Sequence, residues 1–288
     1  WCYLYNFKEP DSPQIVNLPG GRGKALRDDA EELLNNTRQG LGRAFSGEEY
    51  KRQRQAIVEK GQTSQQKIFE QISEEARLQG FALQMTPSGP VLIPLKDNRP
   101  MQEEEYMALD EDIKKGLEAK QSGLHKKLHD SFEAVANMQR EIIESMKKAD
   151  KDVGEYTVSR LFGPLVERYE PWPKIKQYFT DLKAYILDNL ELFKRVPEEP
   201  VNPVLGFPVS QVMGGRNPFL PFQVNVYVDN SETRLPPVIV ETNPNFGNVF
   251  GKIERRFLFG GYLSDHTMLK AGALSKANGG YLLLNVVD

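Results

Sequence analysis

The chain has 288 residues, 27% of them charged, with a net charge of −3 and a single cysteine, Cys2. That balance gives no electrostatic footing for nucleic acid or an anionic membrane surface. One cysteine excludes an intrachain disulfide framework and fits a reducing, cytoplasmic setting.

No apolar run approaches the ~20 residues of a spanning helix, and the first residues lack the basic region of a signal peptide. The length suits one large or two modest domains. The first residue is Trp rather than an initiator Met, so the chain reads as a piece excised from a longer protein.

Residues 1–7 are aromatic-rich and alternate with polar positions, which predicts a strand. Pro10, Asp11, Ser12 and Pro13 break it. Next comes Leu18-Pro-Gly-Gly-Arg-Gly-Lys-Ala-Leu, an imperfect likeness of a phosphate loop. G-x-x-x-x-G-K-[ST] would require Gly at position 18, which is Leu, and Ser or Thr at 25, which is Ala. The segment is read as a turn leading into a helix. Apolar residues at 26, 30, 33 and 34 predict a helix over 26–41, ended by Gly40 and Gly42. Ser46, with Glu49 three residues on, then reads as the N-cap of a capping box. Residues 48–79 are mostly Gln, Glu, Lys and Arg. Tyr50, Ile57, Ser64, Ile68, Ile72 and Ala76 give a stripe too thin for a core helix but suited to one partner.

Gly80 stops that helix. Residues 81–86 and 90–95 predict a β-hairpin with a three-residue turn, Pro87-Ser88-Gly89, and Pro90 and Pro94 make its second arm an edge strand. Over 102–151, Ile113, Leu117, Leu124, Leu128, Phe132, Val135, Met138, Ile142 and Met146 recur at helical spacings, a seam for an antiparallel neighbour. The helix before the hairpin is the obvious partner. About 40 residues at ~1.5 Å each make an arm of about 60 Å, with the hairpin at its far end. Apolar groups at such a tip commonly meet other chains, which nominates Phe81, Leu83, Val91 and Leu92 as substrate-binding residues. A structural reading competes: Leu117, Leu124 and Leu128 could pair two chains as a coiled-coil module. His125 and His129 stand four apart, but position 126 is Lys rather than Glu and no third ligand is evident, so a solvated helix face is preferred to a metal site.

Residues 154–193 are rich in aromatic and aliphatic side chains and predict two core helices around Pro171-Trp172-Pro173, with packing rather than a ligand explaining the aromatics. Residues 196–221 carry six prolines and the pair Gly214-Gly215, a loop composition. Alternation predicts strands at 222–229 and 236–241, joined by a turn at 229–232. At 277–284 a short helix ends at Gly279-Gly280 and the uncharged run Tyr281-Leu-Leu-Leu follows. Such a run suits a strand buried on both faces of a parallel sheet. Ligands in these sheets sit at the carboxyl ends of strands, here residues 285–288.

The segments Asn243-Pro-x-x-x-Asn-Val-Phe-Gly251, Gly260-Gly261, His266 and Gly272-Ala-Leu-x-x-Ala-Asn-Gly-Gly-Tyr-Leu-Leu-Leu284 together resemble the second half of the AAA+ core in Lon-family proteases. The branch it resembles carries a long helical insertion between Walker A and Walker B. Arg216-Asn-Pro-Phe219, the strand at 224–231 and Val240-Glu-Thr-Asn-Pro244 extend the likeness, which is weakest in the charge-rich helices. It implies an AAA+-like core at 1–45 and 222–288, an insertion at 46–153 with its hairpin at 81–95, an aromatic helical segment at 154–195 and a Pro/Gly-rich loop at 196–221. The resulting fold class is α/β with an all-α insertion: a partial AAA+-like core with parallel strands, and an antiparallel helical arm. The resemblance implies a Walker A segment before Trp1 and a parent serine protease with a Ser–Lys dyad in a separate domain. Ser275-Lys276 is not that dyad, because it sits in the helix motif before Walker B.

At the family's Walker B Asp-Glu pair this chain has Asn285 and Val286. An amide is a poor Mg²⁺ ligand and valine polarises no water. ATP and Mg²⁺ therefore belong to the parent family, and no cofactor is expected in this chain. The family also suggests a pore-facing loop between 250 and 272, with Phe259 and Tyr262 gripping unfolded polypeptide. A packed hairpin around Gly260-Gly261 is the equal alternative. Arg255 and Arg256 are preferred as rim charges over groups acting on phosphate in trans. The reading is a substrate-recognition portion that captures unfolded or damaged protein within a homo-oligomeric ring, inactive by itself.

Overall fold

A computed structural model describes residues 1–86, 89–194, 217–258 and 261–285. The chain divides into two compact units, one made of Trp1–Gly47 with Lys151–Asp288, the other of Glu48–Asp150. Helix predominates, and among the described residues the strands form five small sheets. Most of the Pro/Gly-rich loop, residues 195–216, lies outside the described residues.

In the first unit, β1 (Cys2–Leu4) is the middle strand of a sheet, antiparallel to β2 (Gln14–Val16) on one side and to β6 (Asn225–Val226) on the other. The strand expected over 222–229 is much shorter, because β1 offers only three residues to pair with and Leu220–Phe222 turns as a 3₁₀ helix.

α1 (Arg22–Ser46) buries Leu26, Ala30, Leu33, Thr37, Leu41 and Phe45 at spacings of three and four, one continuous face. Gly40 and Gly42 do not end it. A Cβ on Gly40 would stand 3.2 Å from Cγ2 of Thr157, so close helix packing outweighs the ~1 kcal/mol helix penalty of glycine. Ser46 is consequently the last residue of α1 rather than an N-cap, and its hydroxyl donates to the Gly42 carbonyl at 2.6 Å.

α2 (Glu48–Leu78), β3 (Phe81–Thr86), β4 (Gly89–Lys96), β5 (Arg99–Pro100) and α3 (Glu103–Met107) lie in the second unit. α4 (Glu111–Arg168) continues well beyond the expected end near Lys151, and Asp150 is its last residue in that unit. Its remaining turns join α5 (Pro173–Asp188) and α6 (Glu191–Lys194) in the first unit. Pro173 opens α5, where a missing N–H costs nothing. Ile175, Tyr178, Phe179, Leu182 and Ile186 are its buried face. The Phe179 ring packs against Phe162, Tyr169 and Tyr178 at centroid distances of 6.4, 5.6 and 5.2 Å. The buried Tyr178 hydroxyl donates to the Pro221 carbonyl at 2.7 Å.

The later part of this unit holds β7 (Val238–Glu241), the helix Phe246–Phe250, β8 (Gly251–Ile253), β9 (Arg256–Leu258), β10 (Gly261–Leu263), β11 (Leu269–Ala271) and β12 (Tyr281–Leu284). Asn245 caps the short helix by accepting from the Asn248 N–H at 2.9 Å. β8 pairs with β11 and β9 with β10, both antiparallel, while β12 pairs with β7 in parallel from Tyr281↔Val238 to Leu284↔Glu241. The parallel pairing expected for β12 is present, but burial on both faces is not. Tyr281, Leu283 and Leu284 are exposed and Leu282 is half-buried, because the strand's one neighbour among the described residues is β7.

Within the second unit, α2 and α4 run in opposite directions. Glu75 pairs with Lys127, Gly61 faces Ile142, and Arg54 reaches the Met146 sulfur at 3.7 Å. The hairpin differs from expectation in two ways. Gly89 already pairs with Thr86, leaving only residues 87–88, outside the described residues, to connect β3 and β4. β4 is also the middle strand of β3-β4-β5 rather than an edge. Its prolines are tolerated because Leu95 N–H donates to Gly80 O while Pro94 O accepts from Met101 N–H. The backbone of Pro94, and by alternation that of Pro90, therefore faces away from β3, and β5 pairs only Leu95 and Lys96.

Candidate functional site

The hairpin is held to its helices by a small core. Ala76 of α2, Phe81 of β3, Leu92 of β4 and Leu124 of α4 are buried together, with Leu83 and Leu117 packed against them. Of the four hairpin residues nominated as exposed binders, three point inward: Phe81 and Leu92 are buried and Leu83 is half-buried. The physical reason is strand alternation combined with a helix pair wide enough to cover one hairpin face. Val91 remains exposed, as does Met85. Leu124 and Leu128 are likewise buried in the chain's own unit, so they are not presented to a second copy for coiled-coil pairing.

A second set of apolar groups was not nominated from the sequence. Phe69 of α2 and Phe132 of α4 are both more than a third exposed and line, with Met85, a groove of about 330 Å³ within the helical unit. Phe69 lies three residues before Ile72 and seven before Ala76, on the same helix face, and widens the stripe that runs through Ile68 and Ile72.

In the other unit, β9 and β10 bring Phe257 and Tyr262 together across the strands, ring centroids 5.3 Å apart and edge to face. They are 66% and 70% exposed, so this hairpin does not bury its aromatics in a core. Arg255 and Arg256 beside them are exposed as well. Phe259 lies outside the described residues.

The glycine turn before α1 leads into the helix. Lys24 forms an ion pair with Asp229 at 2.7 Å and donates to Ser231 at 3.2 Å. Asp229 pushes the Lys24 ammonium up, and Lys24 holds the Asp229 carboxyl below its usual range. The cavity there, touching Gly20, Gly21, Gly23, Asp229 and Ser275, is about 160 Å³, below the ~300 Å³ at which ordinary ligand pockets begin. A nucleotide phosphate would meet an acidic side chain and an engaged lysine. At the end of β12, Asn285 is exposed and offers an amide, and Val286 lies outside the described residues. These residues do not fit Mg²⁺–nucleotide.

Among the described residues no three His, Cys, Asp or Glu side chains gather as a metal site, and His125 and His129 lie exposed on α4. Burial pushes the Cys2 thiol up, away from the thiolate that would make it reactive. Ser275 has its hydroxyl 3.5 Å from that of Tyr227, and Lys276 is exposed at the end of its short helix. Buried His266 has Nε2 2.6 Å from the Gln223 carbonyl and its ring near Tyr5. Burial lowers its pKa, opposed by the Gln223 carbonyl and Asp265.

The parallel β7–β12 pair and the Gly279-Gly280 turn before it lie in the part of the chain that resembles an AAA domain. Residues 234–288 match the family described as LonB-like, AAA domain, and residues 1–33 match the Lon-like LonC helical domain. Both matched segments are thus similar to Lon-family models, one at each end of the chain. No curated protein matches it. No helix among the described residues is long and apolar enough to cross a membrane.

Proposed function

We propose that this chain serves a Lon-type protease by capturing unfolded or damaged polypeptide on its helical unit, for passage to a proteolytic centre that its own residues do not form. One observation carries the reading: the helical unit leaves Phe69, Met85 and Phe132 uncovered together beside its hairpin. Exposed apolar groups that cluster on an otherwise charged surface are what an unfolded chain, with its own apolar residues unburied, would meet. The exposed Phe257–Tyr262 pair offers a second contact of the same kind in the other unit, in keeping with a loop that grips without sequence preference. A ring of identical copies in the cytoplasm is the setting this role implies. Within this chain the Lys24 turn is engaged by Asp229 and Asn285 brings an amide, so the role is assigned to its apolar surfaces and not to nucleotide.

The test is binding of the purified chain to reduced, unfolded casein and to a natively folded protein of similar charge, followed by fluorescence anisotropy. Binding of casein alone supports the reading. Equal binding of both, or of neither, overturns it.

A further inference from the structure

We infer that the groove between α2, α4 and β3 is a seat for one extended, uncharged apolar stretch of polypeptide. The inference rests on the capture role proposed above and names the place and the chemistry. The groove has a volume of about 330 Å³. Its apolar lining is Ile68, Phe69, Ile72, Met85, Phe132 and Val135, of which Phe69, Met85 and Phe132 are 41%, 53% and 37% exposed. Gln62 and Gln65 stand along it.

Three features choose the occupant. First, none of the residues lining the groove is ionisable, although α2 and α4 are otherwise dense in Lys, Arg, Asp and Glu. A charged group entering it would lose water and gain no counter-charge, so the complementary ligand is neutral. Second, glutamine carries both a donor and an acceptor, so these side chains can pair with the N–H and C=O of any backbone, and sequence matters only through side-chain polarity. An extended segment has those backbone groups free, whereas a folded protein has spent them. Third, ten residues line the groove, while a standard interface between folded partners uses about 20–30 residues a side. A single strand of chain fits this footprint, and a second folded copy does not. The site also differs from the hairpin residues suggested by the sequence, since Phe81, Leu83 and Leu92 are engaged in the chain's own core.

The experiment uses the whole chain and three fluorescent twelve-residue peptides of one apolar sequence, with a central Leu, Lys or Glu, alongside labelled reduced casein. The central-Leu peptide should bind, and a central Lys or Glu should weaken it at least tenfold. Phe69→Ser with Phe132→Ser should weaken it at least tenfold, while Ile143→Ser, an exposed change elsewhere on α4, should leave it unaltered. Met85→Glu tests the same groove from the hairpin side should the double variant lose its helical circular dichroism, and it too should weaken binding.

If casein binds the wild type but the groove variants retain full affinity, the groove is wrong and the capture role survives. Equal binding of all three peptides overturns the neutral chemistry. If neither casein nor peptide binds the folded wild type, both readings fall. A dimer in light scattering that the groove variants dissolve would make the groove a self-interface and overturn the inference.

Discussion

Gly61 of α2 faces Ile142 of α4 with no room for a side chain: a Cβ on Gly61 would stand 2.1 Å from Cδ1 and 2.8 Å from Cγ1 of Ile142. The contact fixes how closely the two helices run along the stretch that leads to the groove. Gly61→Ala must push the isoleucine off its rotamer or part the helices. A cost of about 1–3 kcal/mol follows, in the range of overpacking, despite the gain of nearly 1 kcal/mol in helix propensity from glycine to alanine. Urea unfolding of the variant should show a lower midpoint. Gly61→Ala with Ile142→Val, which shortens the blocking side chain, should recover part of the loss. A variant more stable than wild type would mean that the helices do not meet there.

Gly280 plays the corresponding role at the parallel pair. A Cβ there would fall 1.9 Å from the Pro237 carbonyl, the same carbonyl that accepts from the Tyr281 N–H at 2.7 Å. Backbone cannot yield as a side chain can, so Gly280→Ala should separate the start of β12 from β7. Gly279 has φ 82° but open space around its Cα. Gly279→Ala should therefore cost only its backbone strain, about 1–2 kcal/mol. Amide exchange of Leu282 and Leu283 would distinguish the two, with faster exchange in Gly280→Ala than in Gly279→Ala.

These glycines also mark how far the sequence could be read. The Gly279-Gly280 stop, the β12 strand and its parallel pairing followed from a helix signal, a glycine pair and an uncharged run. The exposure of β12 did not, because burial depends on which elements cover a strand, and no local pattern encodes that. Propensity alone ends a helix at Gly40 and Gly42, and packing against Thr157, far away in sequence, overrides it. The inward turn of Phe81 and Leu92 was obscured for a similar reason: alternation says that one hairpin face is apolar, but only Ala76 and Leu124 say that this face is covered. Phe69 shares the helical face of Ile72 and Ala76 in the sequence, while its partnership with Met85 and Phe132 depends on the fold.

His266 should make stability depend on pH. Its folded pKa lies below its ordinary value of 6.5, chiefly through burial. The unfolded state then binds the proton more readily, so the contribution is complete above about 6.5 and is lost as pH falls towards the folded value. Asp265 is the acidic neighbour and acts in the opposite sense. The melting temperature should drop between pH 7.5 and 5.5. His266→Gln, which does not titrate, should show a smaller drop than wild type between the same two values. Equal slopes for the two proteins would remove His266 as the cause.

Mg²⁺–ATP should leave the melting temperature of the chain unchanged, since a ligand stabilises only the state it binds. Lys24 is engaged by Asp229 and Asn285 brings no carboxylate. Lys24→Ala should be equally indifferent to the nucleotide and leave the melting temperature nearly unchanged, as expected for an exposed ion pair. A rise in melting temperature with millimolar Mg²⁺–ATP, absent in Lys24→Ala, would restore nucleotide binding to that turn.

Capture of unfolded polypeptide by the helical unit is tested most directly by amide hydrogen exchange of the whole chain with and without saturating reduced casein. Protection is predicted over 62–72, around Met85 and over 131–135, with the buried face of α5 unaffected. Casein binding that protects only residues 246–285, or none of the helical unit, would contradict the account.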